Sequence, residues 1–145
     1  MFIAGGAAAT LGLVTVFVAP SAAQAAFSDC PADLFCLWTD PDGGGPGIWS
    51  KADRPDLRVQ NMDDRTSSVA NNSTTRGICL YPDLDFDGAW AAYVPARTWA
   101  NITDSEADDQ VTSVRWAPSE DPPACWVVSG SRKTRVAGSA QPFGR

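Results

Sequence analysis

Short apolar and aromatic runs recur along this chain roughly every ten residues, separated by turn-forming residues. They are Phe35-Cys36-Leu37-Trp38, Ile48-Trp49-Ser50, Ile78 to Tyr81, Ala89 to Val94, the alternating stretch Val111 to Trp116, and Cys125 to Val128. No apolar stripe holds the helical period over three turns. Closely spaced short strands with turns between them predict an antiparallel sandwich or barrel. Thr39 to Gly47 carries four glycines, two prolines and two aspartates and reads as a turn. Lys51 to Gln60 reads as a connection with at most a short strand near Leu57-Arg58-Val59. Val69-Ala70 lead into a polar loop at Asn71 to Thr75, Pro118 to Pro123 reads as a loop, and 129–145 as a polar, mildly basic tail without a core pattern.

The chain repeats itself. Asp63-Asp64-Arg65-Thr66-Ser67-Ser68-Val69 returns as Asp108-Asp109-Gln110-Val111-Thr112-Ser113-Val114, and each copy follows an aromatic strand containing a cysteine. Gly47-Ile48-Trp49 and Gly88-Ala89-Trp90 form a third pair in the same order. This predicts an internal duplication, with repeat one at about 34–75 and repeat two at about 77–118. Trp38, Trp49, Trp90 and Trp116 lie in strand-like contexts that repeat, so all four are expected in the core, where each buries on the order of 200 Å², rather than on an exposed sugar-binding platform.

Composition narrows the chemistry. A chain of 145 residues suffices for one domain and hardly for two independent cores. The formal charge of -6 argues against a nucleic-acid or anionic-membrane partner and is compatible with cations. With no histidine, Ser-His-Asp and Cys-His enzymes are excluded.

Residues 2–20 are almost uniformly apolar and small, and Ala23-Gln24-Ala25 fits a signal-peptidase site. A leader at 1–25, with cleavage after Ala25 or one residue later, is expected in preference to a single membrane anchor, because the run is rich in Ala and Gly and has no basic stop-transfer flank, although no Lys or Arg precedes it. Export would leave a domain at 26–128 and a tail at 129–145, free of stable membrane association and monomeric. All four cysteines would then lie in an oxidising compartment. They permit three pairings, of which we expect Cys30 with Cys36 and Cys79 with Cys125. Asn71, Asn72 and Asn101 each begin an Asn-x-Ser/Thr sequon and are expected to be loop asparagines rather than glycan acceptors.

Two adjacent carboxylates, followed shortly by a hydroxyl in a tight loop, form an oxygen-rich cluster of the kind Ca²⁺ takes. Each copy supplies only part of a shell, so Asp83, Asp85 and Asp87, or Asp40 and Asp42, would have to help. The competing reading is that the aspartates cap and turn while the hydroxyls satisfy local amides. The like charges of Asp63/Asp64 and Asp108/Asp109 repel, and a bound cation would remove that penalty.

The residues also resemble a known family. Tyr81, four residues, Phe86, one residue, Gly88 is similar to the hairpin signature of the βγ-crystallin Greek-key motif. Asp63-Asp64-Arg65-Thr66-Ser67-Ser68 and Asp108-Asp109-Gln110-Val111-Thr112-Ser113 resemble that superfamily's microbial calcium signature. The resemblance implies an all-β, βγ-crystallin-like Greek-key sandwich of two repeated motifs. It also implies calcium ligation by the acids Asp63, Asp64, Asp108 and Asp109, by the main chain of Arg65 with Ser67, and by the main chain of Gln110 with Thr112. The first hairpin departs from the pattern: Trp38 takes the aromatic position, Gly43 stands where the second aromatic belongs, and its loop at Gly45-Pro46-Gly47 reads as longer.

Cys30-Pro31 through Cys36-Leu37-Trp38, the Asp63 to Asn72 run and Cys79-Leu80-Tyr81 further resemble secreted actinobacterial proteins of peptidase inhibitor family I36. That implies no enzyme, but a secreted inhibitor that blocks an extracellular protease with an exposed loop, Asp40 to Gly47 or Pro118 to Cys125 being the candidates. The alternative is a calcium-stabilised extracellular module with no protease target.

Overall fold

The computed structural model describes residues 26–118, Cys125, the backbone of 132–135, and 141–143. The leader, the expected strand at 126–128 and most of the Pro118 to Cys125 loop lie outside these residues.

Among the described residues, nine strands form two sheets. β1 (Phe35–Trp38), β2 (Gly47–Ser50), β3 (Ser68–Asn71), β6 (Thr98–Asn101) and β9 (Gln141–Pro142) make one, in the order β2-β1-β3-β6-β9. β4 (Ile78–Tyr81), β5 (Trp90–Val94), β7 (Ser113–Trp116) and β8 (Arg132–Arg135) make the other, in the order β7-β4-β5-β8. All pairings are antiparallel except β5 with β8. Residues of the expected tail therefore add a strand to each sheet.

The two repeats exchange their third strands. β6, from repeat two, pairs with β3 of repeat one, Val69 facing Ala100. In return Arg54 of repeat one bridges Val114 of β7, with N–H to carbonyl bonds in both directions (2.6 and 2.8 Å). Val69 and Val114 are the equivalent residues of the two motifs, so the exchange is reciprocal. This Greek-key crossing confirms the all-β sandwich of two motifs.

Side chains alternating along the strands fill the space between the sheets: Phe35, Leu37, Val69 and Ala100 from one, Ile78, Leu80, Trp90, Ala92, Val94, Val114 and Trp116 from the other. A fully buried Leu, Ile or Phe of this kind contributes about 1.5–3 kcal/mol. The outer faces are covered as well. Cys36 and Trp38 point outward beneath Phe27 and Cys30, while Cys79 and Tyr81 lie against Ala117 and Cys125. Every residue of β1 and β4 is consequently buried, which is why Phe35-Cys36-Leu37-Trp38 and Ile78-Cys79-Leu80-Tyr81 are apolar without alternation. Both expected disulfides are present, Cys30–Cys36 and Cys79–Cys125, each tying the outward cysteine of a first strand to a segment outside its repeat.

Several expectations are corrected. Leu57–Gln60 is a 3-10 turn, started by the Asp56 side chain accepting the Arg58 N–H, and not a strand. Its single buried residue, Leu57, inserts into the core as a side chain on a turn can. β3 continues through Asn71, where a loop was expected. β6 escaped the pattern because Thr98-Trp99-Ala100-Asn101 is hemmed in by Pro95 and the Asn101 to Asp109 polar run.

Trp49 is the largest correction: it is 60% exposed, whereas Trp38, Trp90 and Trp116 are each 8% exposed. The strand register explains this. Trp49 faces Cys36 and Tyr93 faces Cys79, so Trp49 is the counterpart of Tyr93 and not of Trp90. The Tyr93 ring lies directly over Gly77, whereas Leu34 occupies the corresponding place before β1. Between Leu37↔Ile48 the first hairpin holds one residue fewer than the second between Leu80↔Ala92, so its loop is shorter, not longer. No helix among the described residues is long and apolar enough to cross a membrane.

Candidate functional site

Each acidic motif sits where the chain passes from one sheet to the other, and the two adopt the same geometry. Asp64 and Asp109 both have φ of 49°, a left-handed conformation that Asp tolerates better than most residues. The Asp64 N–H donates to the Val111 carbonyl (3.2 Å) and the Asp109 N–H to the Thr66 carbonyl (3.1 Å), so the loops clasp one another.

The last serine of each motif braces its own hairpin. Ser68 Oγ donates to the Asp40 carbonyl (2.6 Å) and accepts the Gly43 N–H (3.1 Å). Ser113 Oγ does the same to the Asp83 carbonyl (2.6 Å) and the Phe86 N–H (3.0 Å). Both serines are fully buried, and a hydroxyl that both donates and accepts is the smallest group able to close such a turn. The sequence signature Ser/Thr-Ser thus divides its labour: the second residue folds the hairpin, and the first faces the opposite motif.

That first hydroxyl meets an acid. Ser67 Oγ donates to Asp108 Oδ1 at 2.7 Å, and Thr112 Oγ1 approaches Asp64 Oδ1 at 3.5 Å. A hydroxyl that gives its proton to a carboxylate keeps its lone pairs, which are what a hard cation uses. Asp63 Oδ1 is buried without a hydrogen-bond partner among the described residues, as is the Thr66 hydroxyl. Asp64 is exposed, yet partial desolvation by the loops around it, then the charges of Asp63, Asp109 and Asp83, hold its carboxyl above the ordinary range, opposed by the Thr112 hydroxyl. Hairpin two therefore turns its Asp83 charge on the first motif.

Asp63, Asp64, Ser67, Asp108, Asp109 and Thr112 are thus gathered at one junction between the repeats. No three acidic or cysteine side chains among the described residues converge closely enough to hold a metal by themselves. Any cation there would need hydroxyl and main-chain oxygen, as the roles expected of Arg65 and Gln110 require. Asp108 and Gln110 also line an open cleft of about 640 Å³ with Ala89, Trp90, Ser105 and Glu106.

One structural pairing was not read from the sequence. The Asp42 N–H donates to Asn101 Oδ1 (2.7 Å) and Asn101 Nδ2 donates to Asp42 Oδ1 (2.7 Å), pinning hairpin one to β6. The pair is 59 residues apart, and only the strand exchange brings it together. The three sequon asparagines are all committed to such bonds: Asn71 Nδ2 to the carbonyls of Arg76, Val94 and Pro95, Asn72 Nδ2 to the Cys30 carbonyl (2.6 Å), and Asn101 to Asp42.

Residues 23–93 match the family model of peptidase inhibitor family I36. Among solved structures, one concerning the evolution of the eye-lens βγ-crystallin domain fold is 20% identical, with a TM-score of 0.55 over 60% of this chain and 88% of that one. A βγ-crystallin from Ciona intestinalis is 22% identical, with a TM-score of 0.50 over 57% of this chain and 96% of that one. No curated protein sequence matches significantly.

Proposed function

We infer that this βγ-crystallin domain, which carries the family I36 pattern over residues 23–93, is an exported peptidase inhibitor-like protein stabilised by calcium between its two motifs. Peptidase inhibitors and βγ-crystallin domains are non-enzymatic kinds of protein, so binding is the activity to explain. The observation that carries the calcium reading is the junction itself. Asp64 is crowded by Asp63, Asp109 and Asp83, Asp63 keeps a buried unpartnered oxygen, and the Ser67 hydroxyl is turned to leave its lone pairs available. Bound calcium would offset the repulsion between the neighbouring acids, held by Asp63, Asp64, the Arg65 carbonyl and Ser67 in one motif and by Asp108, Asp109, the Gln110 carbonyl and Thr112 in the other.

The test exploits the sign of the Asp64 shift. Its folded-state carboxyl binds protons more tightly than the unfolded one, so without metal its ionisation destabilises the fold as pH rises through and above the ordinary carboxylate range. Asp64→Asn should therefore flatten the loss of metal-free stability with rising pH. The same change should abolish most of the calcium-dependent rise in melting temperature, which for wild type at 100 times Kd corresponds to about 2.7 kcal/mol per site. Thermal melts with calcium and with chelator from pH 4 to 7 read both effects. Unchanged calcium stabilisation in Asp64→Asn and Asp109→Asn would return the loops to capping.

For inhibition, the exposed segment we favour runs from Asp40 into β2. It is held by Ser68 and Asn101, it ends in β2, the edge strand of its sheet among the described residues, and it presents Trp49 to solvent directly opposite the disulfide-bonded Cys36. A rigid segment loses little entropy on entering a cleft. Trp49→Ala should shift stability by no more than about 0.5 kcal/mol, as for an ordinary surface site. It should weaken inhibition of a susceptible secreted peptidase at least tenfold, measured as an inhibition constant. Equal inhibition by the variant would direct attention to the loop before Cys125.

A further inference from the structure

The first hairpin lacks the aromatic that the second carries, and something else fills its place. Gly43 corresponds to Phe86: each gives its N–H to the last serine of its motif, and their φ values are 72° and 65°. In repeat two the Phe86 ring meets Tyr81 edge-on with centroids 6.1 Å apart. In repeat one Trp38 stands where Tyr81 does, and it too has an edge-on aromatic partner at 5.5 Å, but that partner is Phe27. Phe27 is fully buried, stacks on Trp99 at 4.1 Å and belongs to the helical turn at 26–28.

The same turn closes the exit from Gly43. A Cβ there would lie 3.1 Å from Ala26 Cβ, 3.3 Å from the Ala26 carbonyl carbon and 3.5 Å from the Phe27 nitrogen. The turn is secured by the Ala26 carbonyl, which accepts the Asp29 N–H (3.2 Å), and by Cys30, which is bonded to Cys36, two residues before Trp38. Glycine at 43 and phenylalanine at 27 are therefore one arrangement.

We propose, resting on the reading that export removes residues 1–25, that Ala26–Phe27 is a plug: the start of the mature chain supplies the ring that hairpin one does not encode and adds to the hold that Ser68 and Asn101 already have on that hairpin. The proposal predicts a change of sign. With the plug present, Gly43→Phe meets Ala26 and lowers the melting temperature; with Ala26 and Phe27 deleted, the same substitution provides the missing ring and raises it. Phe27→Ala alone should lower the melting temperature on the order of 10 °C, the scale of a buried Phe removed from a domain of this size. Trp38 near-ultraviolet dichroism should weaken with it and return in the deleted Gly43→Phe chain. If the deleted chain does not fold, the comparison is made in full-length mature protein bearing Ala26→Gly and Phe27→Ala. Equal destabilisation by Gly43→Phe in both backgrounds would overturn the plug, as would an intact mass showing that the exported protein starts at Ser28 or later.

Discussion

Asn71→Ala is expected to destabilise the protein by about 3 to 5 kcal/mol, a large share of the stability of any domain this small. Asn71 is fully buried at the end of β3, and its amide reaches three carbonyls, Arg76 at 2.8 Å, Pro95 at 3.1 Å and Val94 at 3.2 Å. An amide has two hydrogens, so one is shared between acceptors. Its Oδ1 accepts the Ser73 N–H at 3.1 Å. Removing the side chain strands several backbone groups at once, where water cannot easily replace it, and each orphaned group costs about 1–3 kcal/mol. Alanine also leaves a small void. Denaturant unfolding should show a lower midpoint with an unchanged slope. Asn71→Asp, which turns a carboxylate toward carbonyl oxygens, should do no better. A modest loss, below about 1 kcal/mol, would mean that the turn between β5 and β6 does not depend on this residue. Mass spectrometry of protein made in a glycosylating host should find Asn71 bare.

The second large effect is expected from the Cys79–Cys125 bridge. Its cysteines are 46 residues apart, and a chain-entropy estimate for that loop gives about 4 kcal/mol, against about 2 kcal/mol for Cys30–Cys36, which are 6 apart. The longer bridge also closes the outer face of β4, where Cys79 and Cys125 pack with Tyr81, Ala91 and Ala117. Replacing both residues by alanine should therefore lower stability about twice as much as replacing Cys30 and Cys36. Paired melts of the two double variants would measure this directly. If the short bridge proved the more important, the reason would lie in its hold on the Phe27 turn, not in loop entropy.

Sequence reasoning located β1, β2, β4, β5 and β7, because those strands carry apolar residues dense enough to stand out from their loops. It missed β6, whose four residues include two polar ones and whose partner, β3, lies in the other repeat. The acidic motifs were legible as a repeat of polar residues, and their shared backbone geometry bears that out. What they face was not legible: Ser67 to Asp108, and Asp42 to Asn101, are contacts created by the exchange of strands. Trp49 shows a different limit. Aligning it with Trp90 by the preceding glycine was reasonable as a sequence pairing, but a strand register is set by hydrogen bonds, and a displacement of a few residues sends a side chain to the other face. Phe27 carried no local signal at all, since its meaning depends on the absence of a side chain at Gly43.

The exchange of third strands bears on how this protein would survive among the peptidases it is proposed to meet. The connection between the repeats is exposed at Thr74, Thr75 and Arg76, an obvious place to be cut. Neither disulfide crosses it, so a single cut there would free the two halves covalently. They would nevertheless remain clasped, because β6 is hydrogen-bonded into the first half's sheet, Arg54 into the second's, and the two acidic loops into each other. Damage at this exposed connection would thus leave the shape of the molecule, and whatever it binds, in place.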